Sequence, residues 1–306
     1  MKYLLTTYNT DILKEFLRMP LNRAAIKGAI VYIDKDDDKE IQEFKDILKD
    51  YNVFIVTRKN FKEYYKDNFH QQFTTLTKNY FINFIIRNYP EQLENGFYFT
   101  DDDITIFAPF EFSDDEFIFQ TENFYNLEKY YGAKHKWIVD FIGDRTVRKA
   151  ISDTQCWVGK THIEKFNKVF SEEFEAILEL MKDKTDFLNL KPSATNKRKC
   201  RVEHFNFNLV IFNLMHWYFQ DVVTYQNAIL FGFGKGEVEG HRKANTIKFY
   251  IDKHMAKEKS YPPYKQPLFH FNLTQKMEYF RLFNDCMLFD KEMDSKDYFI
   301  EAKQLF

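Results

Sequence analysis

The chain has 306 residues, 44% of them hydrophobic and 19% aromatic, with a formal net charge of −2. That length makes one large domain or two closely packed ones, long enough to bury a sizeable core. The charge balance excludes a surface that attracts polyanions over its whole area, so any nucleic-acid site is a local patch. The 35 Phe and 19 Tyr describe a core filled with rings and say nothing of function.

The first third alternates between two periodicities. Residues 2–8 (KYLLTTY) read as a strand. Residues 10–26 follow as a helix opened by Thr10 and broken or bent at Pro20. A strand over 28–33 precedes a helix over 36–51, whose acids Asp36, Asp37 and Asp38 sit at its positive end. A strand over 52–57, an apolar helix over 77–89 and a strand over 96–100 complete the series. Strand–helix alternation of this kind predicts an α/β fold: a mostly parallel sheet flanked by helices. Beyond residue 108 the pattern is irregular. It holds an amphipathic helix over 171–183, a basic loop over 190–204, a buried element over 206–219 and a helix over 216–232 ending at Gly232. A glycine-rich segment that reads as mobile (232–246) and a proline-rich approach to a short strand (261–272) follow. No repeat or clean linker interrupts the chain, so a single domain is expected, with halves 1–107 and 108–306.

Cys156, Cys200 and Cys286 are odd in number and in no metal-ligand spacing, which predicts reduced thiols and a cytoplasmic protein. No signal-peptide pattern opens the sequence, and no run approaches the ~20 apolar residues of a membrane span, so no membrane insertion is expected.

In parallel sheets ligands bind at the carboxyl ends of the strands. The residues there are Tyr8, Asn9, Asp34, Thr57, Arg58 and the triplet Asp101-Asp102-Asp103. Successive carboxylates at the end of an apolar strand repel one another, and a divalent cation relieves that cost. Mn2+ or Mg2+ suits hard oxygen ligands and is completed by substrate phosphates. Alternate residues at a strand end, Asp101 and Asp103, reach one ion. The bland alternative is a solvated turn, as at Asp36–Asp38.

The order of elements together with GFYFTDDDITIF (96–107) resembles the GT-A class of glycosyltransferases and its Asp-x-Asp motif, a Rossmann-like fold. The resemblance is strongest over 1–107 and patchy afterwards. It implies a metal-dependent transferase that moves a sugar from a nucleotide-sugar donor, of the UDP kind, to an acceptor hydroxyl. It implies that Thr7, Tyr8 and Asp34 hold the nucleoside, that Lys78 and Asn79 approach the diphosphate, and that Asp101 and Asp102 meet the donor. The metal falls to Asp101, Asp103 and His270, with His204 and His241 as rivals. Trp157 falls in the donor-sugar segment 154–166. Asp221, in WYFQDVVTYQNAILFG (217–232), takes the place of the catalytic base of an inverting enzyme. Gln220 and Gln226 depart from the family's acid and arginine there; Glu203 and Asp153 stand in reserve.

Lys197, Arg198, Lys199 and Arg201, with His241 and Arg242, make a basic rim suited to a phosphate-bearing acceptor. That acceptor is either a modified DNA base, as for the phage members of the class, or a glycan. Two other readings stand beside this one: a nucleotidyltransferase using strand-end carboxylates and Mg2+, and a non-catalytic nucleic-acid-binding protein.

Overall fold

The computed structural model describes residues 1–69, 74–106, 112–121, 140–145, 156–182, 207–227, 229–231 and 268–271, with six single helical positions between Met277 and Leu288. The chain forms two compact units. One comprises Met1–Tyr8, Ile26–Asp101 and Phe112–Asn227; the other comprises Asn9–Ala25, Asp102–Glu111 and Ala228–Phe306. This division does not follow the expected halves.

The larger unit is built on a seven-stranded sheet of order β3-β2-β1-β4-β7-β6-β8. Its strands are β1 (Lys2–Thr7), β2 (Ile30–Ile33), β3 (Phe54–Thr57), β4 (Phe97–Asp101), β6 (Phe117–Thr121), β7 (Cys156–Val158) and β8 (Val223–Asn227). β3, β2, β1 and β4 are mutually parallel. β7 runs against β4 and β6, and β8 returns parallel to β6. The sheet is therefore α/β and mostly parallel, as the alternation predicts. The second half is more regular than the sequence suggests, because it supplies β6, β7 and β8 to the same sheet.

The helices of this unit start where the sequence offers caps. In α3 (Asp38–Leu48), Asp37 accepts the amides of Lys39 and Glu40, each at 3.0 Å, satisfying two of the otherwise orphaned first-turn donors. α4 (Arg58–Tyr65) is an addition to the predicted elements; Asn60 Oδ1 accepts the Thr57 amide at 2.8 Å and closes a capping box. α5 (Thr74–Asn88), α6 (Ile163–Lys182) and α7 (Phe207–Tyr218) pack against one another.

One sheet face carries Leu4, Ile30, Tyr32, Val56, Phe97, Phe99, Phe117, Phe119, Cys156 and Val158, in one buried cluster with α5, α6 and α7. Each fully buried Phe there contributes about 1.5–3 kcal/mol relative to exposure. On the opposite face Tyr3, Tyr98, Phe112 and Trp157 form a row of rings 4.8–5.7 Å apart.

Two sequence expectations give way here. The helix expected over 216–232 ends at Tyr218; residues 219–222 turn, and Val223–Asn227 join the sheet beside β6. The β-branched and aromatic run Val222-Val223-Thr224-Tyr225 fits a ladder better than a helix once a partner strand is present. The helix expected over 171–183 begins earlier, at Ile163.

The smaller unit contains α1 (Thr10–Arg18), α2 (Pro20–Ile26, its last residue in the larger unit) and a three-stranded sheet of order β5-β10-β9. Those strands are β5 (Ile104–Ile106), β9 (Ile229–Phe231) and β10 (Leu268–Phe271). Pro20 separates the expected single helix into two, because its ring cannot continue α1 but suits the first position of α2. The free edge of β5 is covered: Asn22 donates to the Ile104 carbonyl and accepts the Ile106 amide, both at 2.9 Å. Thr105 donates to Asn284 at 2.6 Å, and Asn284 donates to the buried Glu15 carboxylate at 2.9 Å, which also pairs with Arg18 at 2.8 Å. An exposed strand edge is thus capped by side chains. Among the described residues no helix is long and apolar enough to cross a membrane.

Candidate functional site

The site follows from the strand order of the larger unit. After β1 the chain moves to β2 and β3 on one side, then returns to place β4 on the other side of β1. β1 and β4 therefore flank the topological switch point, where the connections leave in opposite directions and open a crevice at the carboxyl ends. Thr6 and Asp101 are register partners there. They lie on the sheet face shared with Leu4 and Phe99, toward α5.

Three side chains converge at that point. The Thr6 hydroxyl donates to Asp101 Oδ1, and the Lys78 ammonium, from the second turn of α5, donates to Asp101 Oδ2. The Lys78 and Asp101 side chains are 18% and 19% exposed, so water screens the pair only partly. Beside it, at the end of β2, Asp34 Oδ1 accepts from Arg58 Nε at 2.5 Å and from the Tyr32 hydroxyl at 2.7 Å. Arg58 leads α4 directly after β3, and its Nη1 lies 3.5 Å from Asp36, which also pairs with Lys62 at 3.0 Å. Burial pushes the Tyr32 phenol well above its ordinary range, and the Asp34 charge adds to the rise. For Arg58 burial pulls downward, but the hydrogen bond and charge of Asp34 outweigh it and hold the guanidinium firmly protonated. The edge thus presents two carboxylate–cation pairs, each joining a strand end to a helix start.

The placement of the expected residues is uneven. Lys78, Asp101 and Asp34 come to this edge. Tyr8, directly after β1, is 49% exposed and has the surface to stack on a base. Thr7 is buried; its carbonyl accepts the Asp34 amide at 2.8 Å, which ties the ends of β1 and β2 together. Asn79 is fully buried inside α5 and offers no surface to a diphosphate, and Asp102 is likewise buried. Trp157 is 2% exposed, stacked on Phe112 at 4.8 Å, with its indole N–H donated to the Ser113 carbonyl at 3.2 Å. Both its apolar and polar parts are used in packing, so it is a core residue and not a sugar platform. Thr6 and Arg58 are the residues that sequence reasoning under-weighted. Strand alternation holds the signal for Thr6, which shares its face with Leu4, whereas Thr7 shares that of Leu5.

Asp221 lies away from this edge. It sits exposed in the turn before β8. Val223 is level with Phe117, Val158 and Phe97 across the sheet, at the amino ends of β4, β6 and β8. Asp101 is at the other end of β4, on the order of 13 Å further along the strands. Asp221 and Asp101 are therefore not brought together, because β8 is parallel to β4.

The expected metal ligands divide between the units. Asp103 and His270 both belong to the smaller one, where the β5–β10 ladder pairs His270 with Ile104, the residue after Asp103. Among the described side chains no group of three His, Cys, Asp or Glu converges; the His270 side chain is not among them. The acceptor-side candidates Lys197, Arg198, Lys199, Arg201, His241 and Arg242 lie outside the described residues, as do His204, Glu203, Asp153 and the segment 232–246.

Neither known family models nor curated protein sequences match this chain.

Proposed function

We propose that the chain is a glycosyltransferase of GT-A-like, Rossmann-related architecture whose larger unit binds a nucleotide-sugar, of the UDP kind, at the carboxyl edge of β2, β1 and β4. The observation that carries this reading is the Lys78–Asp101–Thr6 cluster at the switch point, where a parallel sheet holds its ligand. Lys78 supplies a cation for phosphate, Tyr8 a face for the base, and the Asp34–Arg58 pair a polar rim for the ribose. The acceptor oxygen attacks the anomeric carbon as the bond to the nucleoside diphosphate breaks, and the hydroxyl proton passes to a base. Asp221 does not suit that role from the amino edge; Glu203 and Asp153 are the alternatives. The reading calls for Mn2+ or Mg2+, since a cation of this kind would supply positive charge to the phosphate. The acceptor is a modified DNA base or a glycan, met by the basic residues of 191–201.

The test is calorimetric titration of the full chain with UDP, uridine, ATP and duplex DNA, each with Mn2+ and with EDTA, followed by product analysis with UDP-glucose. UDP binding with release of UDP from the sugar donor supports the reading. Metal-independent DNA binding without any UDP binding rejects it in favour of a nucleic-acid-binding protein; preference for ATP with pyrophosphate release points to a nucleotidyltransferase.

A further inference from the structure

We propose that Asp101 is a positioning residue for the Lys78 ammonium, with Thr6 as its anchor, so that the larger unit presents a fixed cation to the donor's phosphate at the carboxyl edge of its sheet. The inference rests on the nucleotide-donor reading and deepens it.

Asp101 spends its two oxygens on different partners. Oδ1 takes the Thr6 hydroxyl and Oδ2 the Lys78 ammonium. Two contacts on opposite oxygens fix both the position and the plane of a carboxylate. Thr6 is well suited as the fixed end. Its β-branched side chain is stiff about χ1, and its backbone is locked by the β1–β4 ladder in register with Asp101 itself. Lys78 is the opposite kind of residue, with a long stem that loses considerable rotamer freedom when ordered. A lysine that meets a phosphate only after binding incurs that cost on binding. One already drawn to a rigid carboxylate incurs it on folding, which is preorganisation. An ammonium carries three donors, so engagement by a carboxylate is compatible with donation to a phosphate. Burial to less than a fifth exposed strengthens both interactions over those of a surface pair.

The same arrangement separates Asp101 from the ion. A divalent cation on Asp101 would stand beside the ammonium and be repelled by it.

The experiment measures uridine and UDP dissociation constants in EDTA and in Mn2+ for the wild type, Lys78→Met, Lys78→Arg, Asp101→Asn and Thr6→Val. The ratio of uridine to UDP constants in EDTA reports the phosphate contribution free of metal. The gain of UDP affinity on adding Mn2+ reports the ion. Lys78→Met lowers the EDTA ratio by about tenfold or more, the worth of a charge-assisted hydrogen bond. Lys78→Arg restores part of it. Asp101→Asn and Thr6→Val lower it by roughly threefold to tenfold with uridine affinity unchanged and the Mn2+ gain intact. A general loss of structure would weaken uridine too, which separates positioning from damage. If Asp101→Asn does not fold, Thr6→Val, which keeps the shape and removes only the hydroxyl, carries the test. An Asp101→Asn protein that loses the Mn2+ gain but keeps the EDTA ratio overturns the proposal. So does a wild type that binds UDP only with metal, an outcome that leaves the nucleotide-donor reading standing. A wild type that binds UDP under neither condition overturns both.

Discussion

Replacing Asp34 with alanine tests whether the end of β2 is held by its carboxylate. Asp34 Oδ1 accepts from Arg58 Nε at 2.5 Å and from the Tyr32 hydroxyl at 2.7 Å. The Asp34 and Arg58 side chains are 20% and 19% exposed, which places the pair between a surface and a buried one. Removal of the charge-assisted bond costs about 1.5–3 kcal/mol, and the buried Tyr32 hydroxyl left without this acceptor adds roughly 1 kcal/mol. Asp36, 3.5 Å from the same guanidinium, offsets part of the loss. The expected net destabilisation of Asp34→Ala is ~2–4 kcal/mol, a fall in Tm of roughly 5–12 °C. The sequence has three tryptophans, Trp137, Trp157 and Trp217, and all fall within the larger unit, so urea unfolding followed by tryptophan fluorescence reports that unit. A double-mutant cycle with Arg58→Met isolates the pair and should give a coupling of about 1.5–2.5 kcal/mol. Because the pair is mostly buried, 1 M salt should remove less than half of that coupling. A coupling below ~0.5 kcal/mol, the level of an exposed ion pair, would refute the argument. The same Asp34→Ala protein should lose uridine affinity if this end of β2 borders the nucleoside.

Three further outcomes follow from particular placements. Asp221→Asn should keep kcat and KM within about twofold of the wild type, measured with UDP-glucose, because the residue lies in an exposed turn at the amino edge; a fall of ~10²-fold would return it to the chemistry. Trp157→Ala should destabilise the larger unit by about 3–5 kcal/mol, read by circular dichroism in urea because the substitution removes a fluorophore, since its ring is stacked on Phe112 and buried; a loss below ~1 kcal/mol would contradict a core role. Burial raises the Cys156 thiol far above its ordinary range and keeps it protonated at pH 8. Iodoacetamide, read by peptide mass spectrometry, should therefore spare Cys156 in native protein and modify it in urea, and rapid native labelling would show that β7 is not buried.

The sequence alone determined the local grammar of this protein. Apolar runs over 28–33, 52–57 and 96–100 and the spacing Ile41, Phe44, Leu48 already specify strands and an amphipathic helix, because those periods depend only on backbone geometry. Their alternation specifies a mostly parallel sheet, and hence that Asp34 and Asp101 stand at carboxyl ends. Tertiary structure decided what each side chain does there. Residues 219–227 leave the helical pattern because β6 offers a ladder, and the parallel sense of β8 sends Asp221 to the edge opposite Asp101. Trp157 and Asn79 look available in sequence but are buried in the fold, Trp157 against Phe112 and Ser113. Thr6, not Thr7, meets Asp101, because the β1–β4 register selects which of two adjacent threonines faces α5. Periodicity is a property of neighbours along the chain; partner choice and burial arise only when distant segments compete for the same surface.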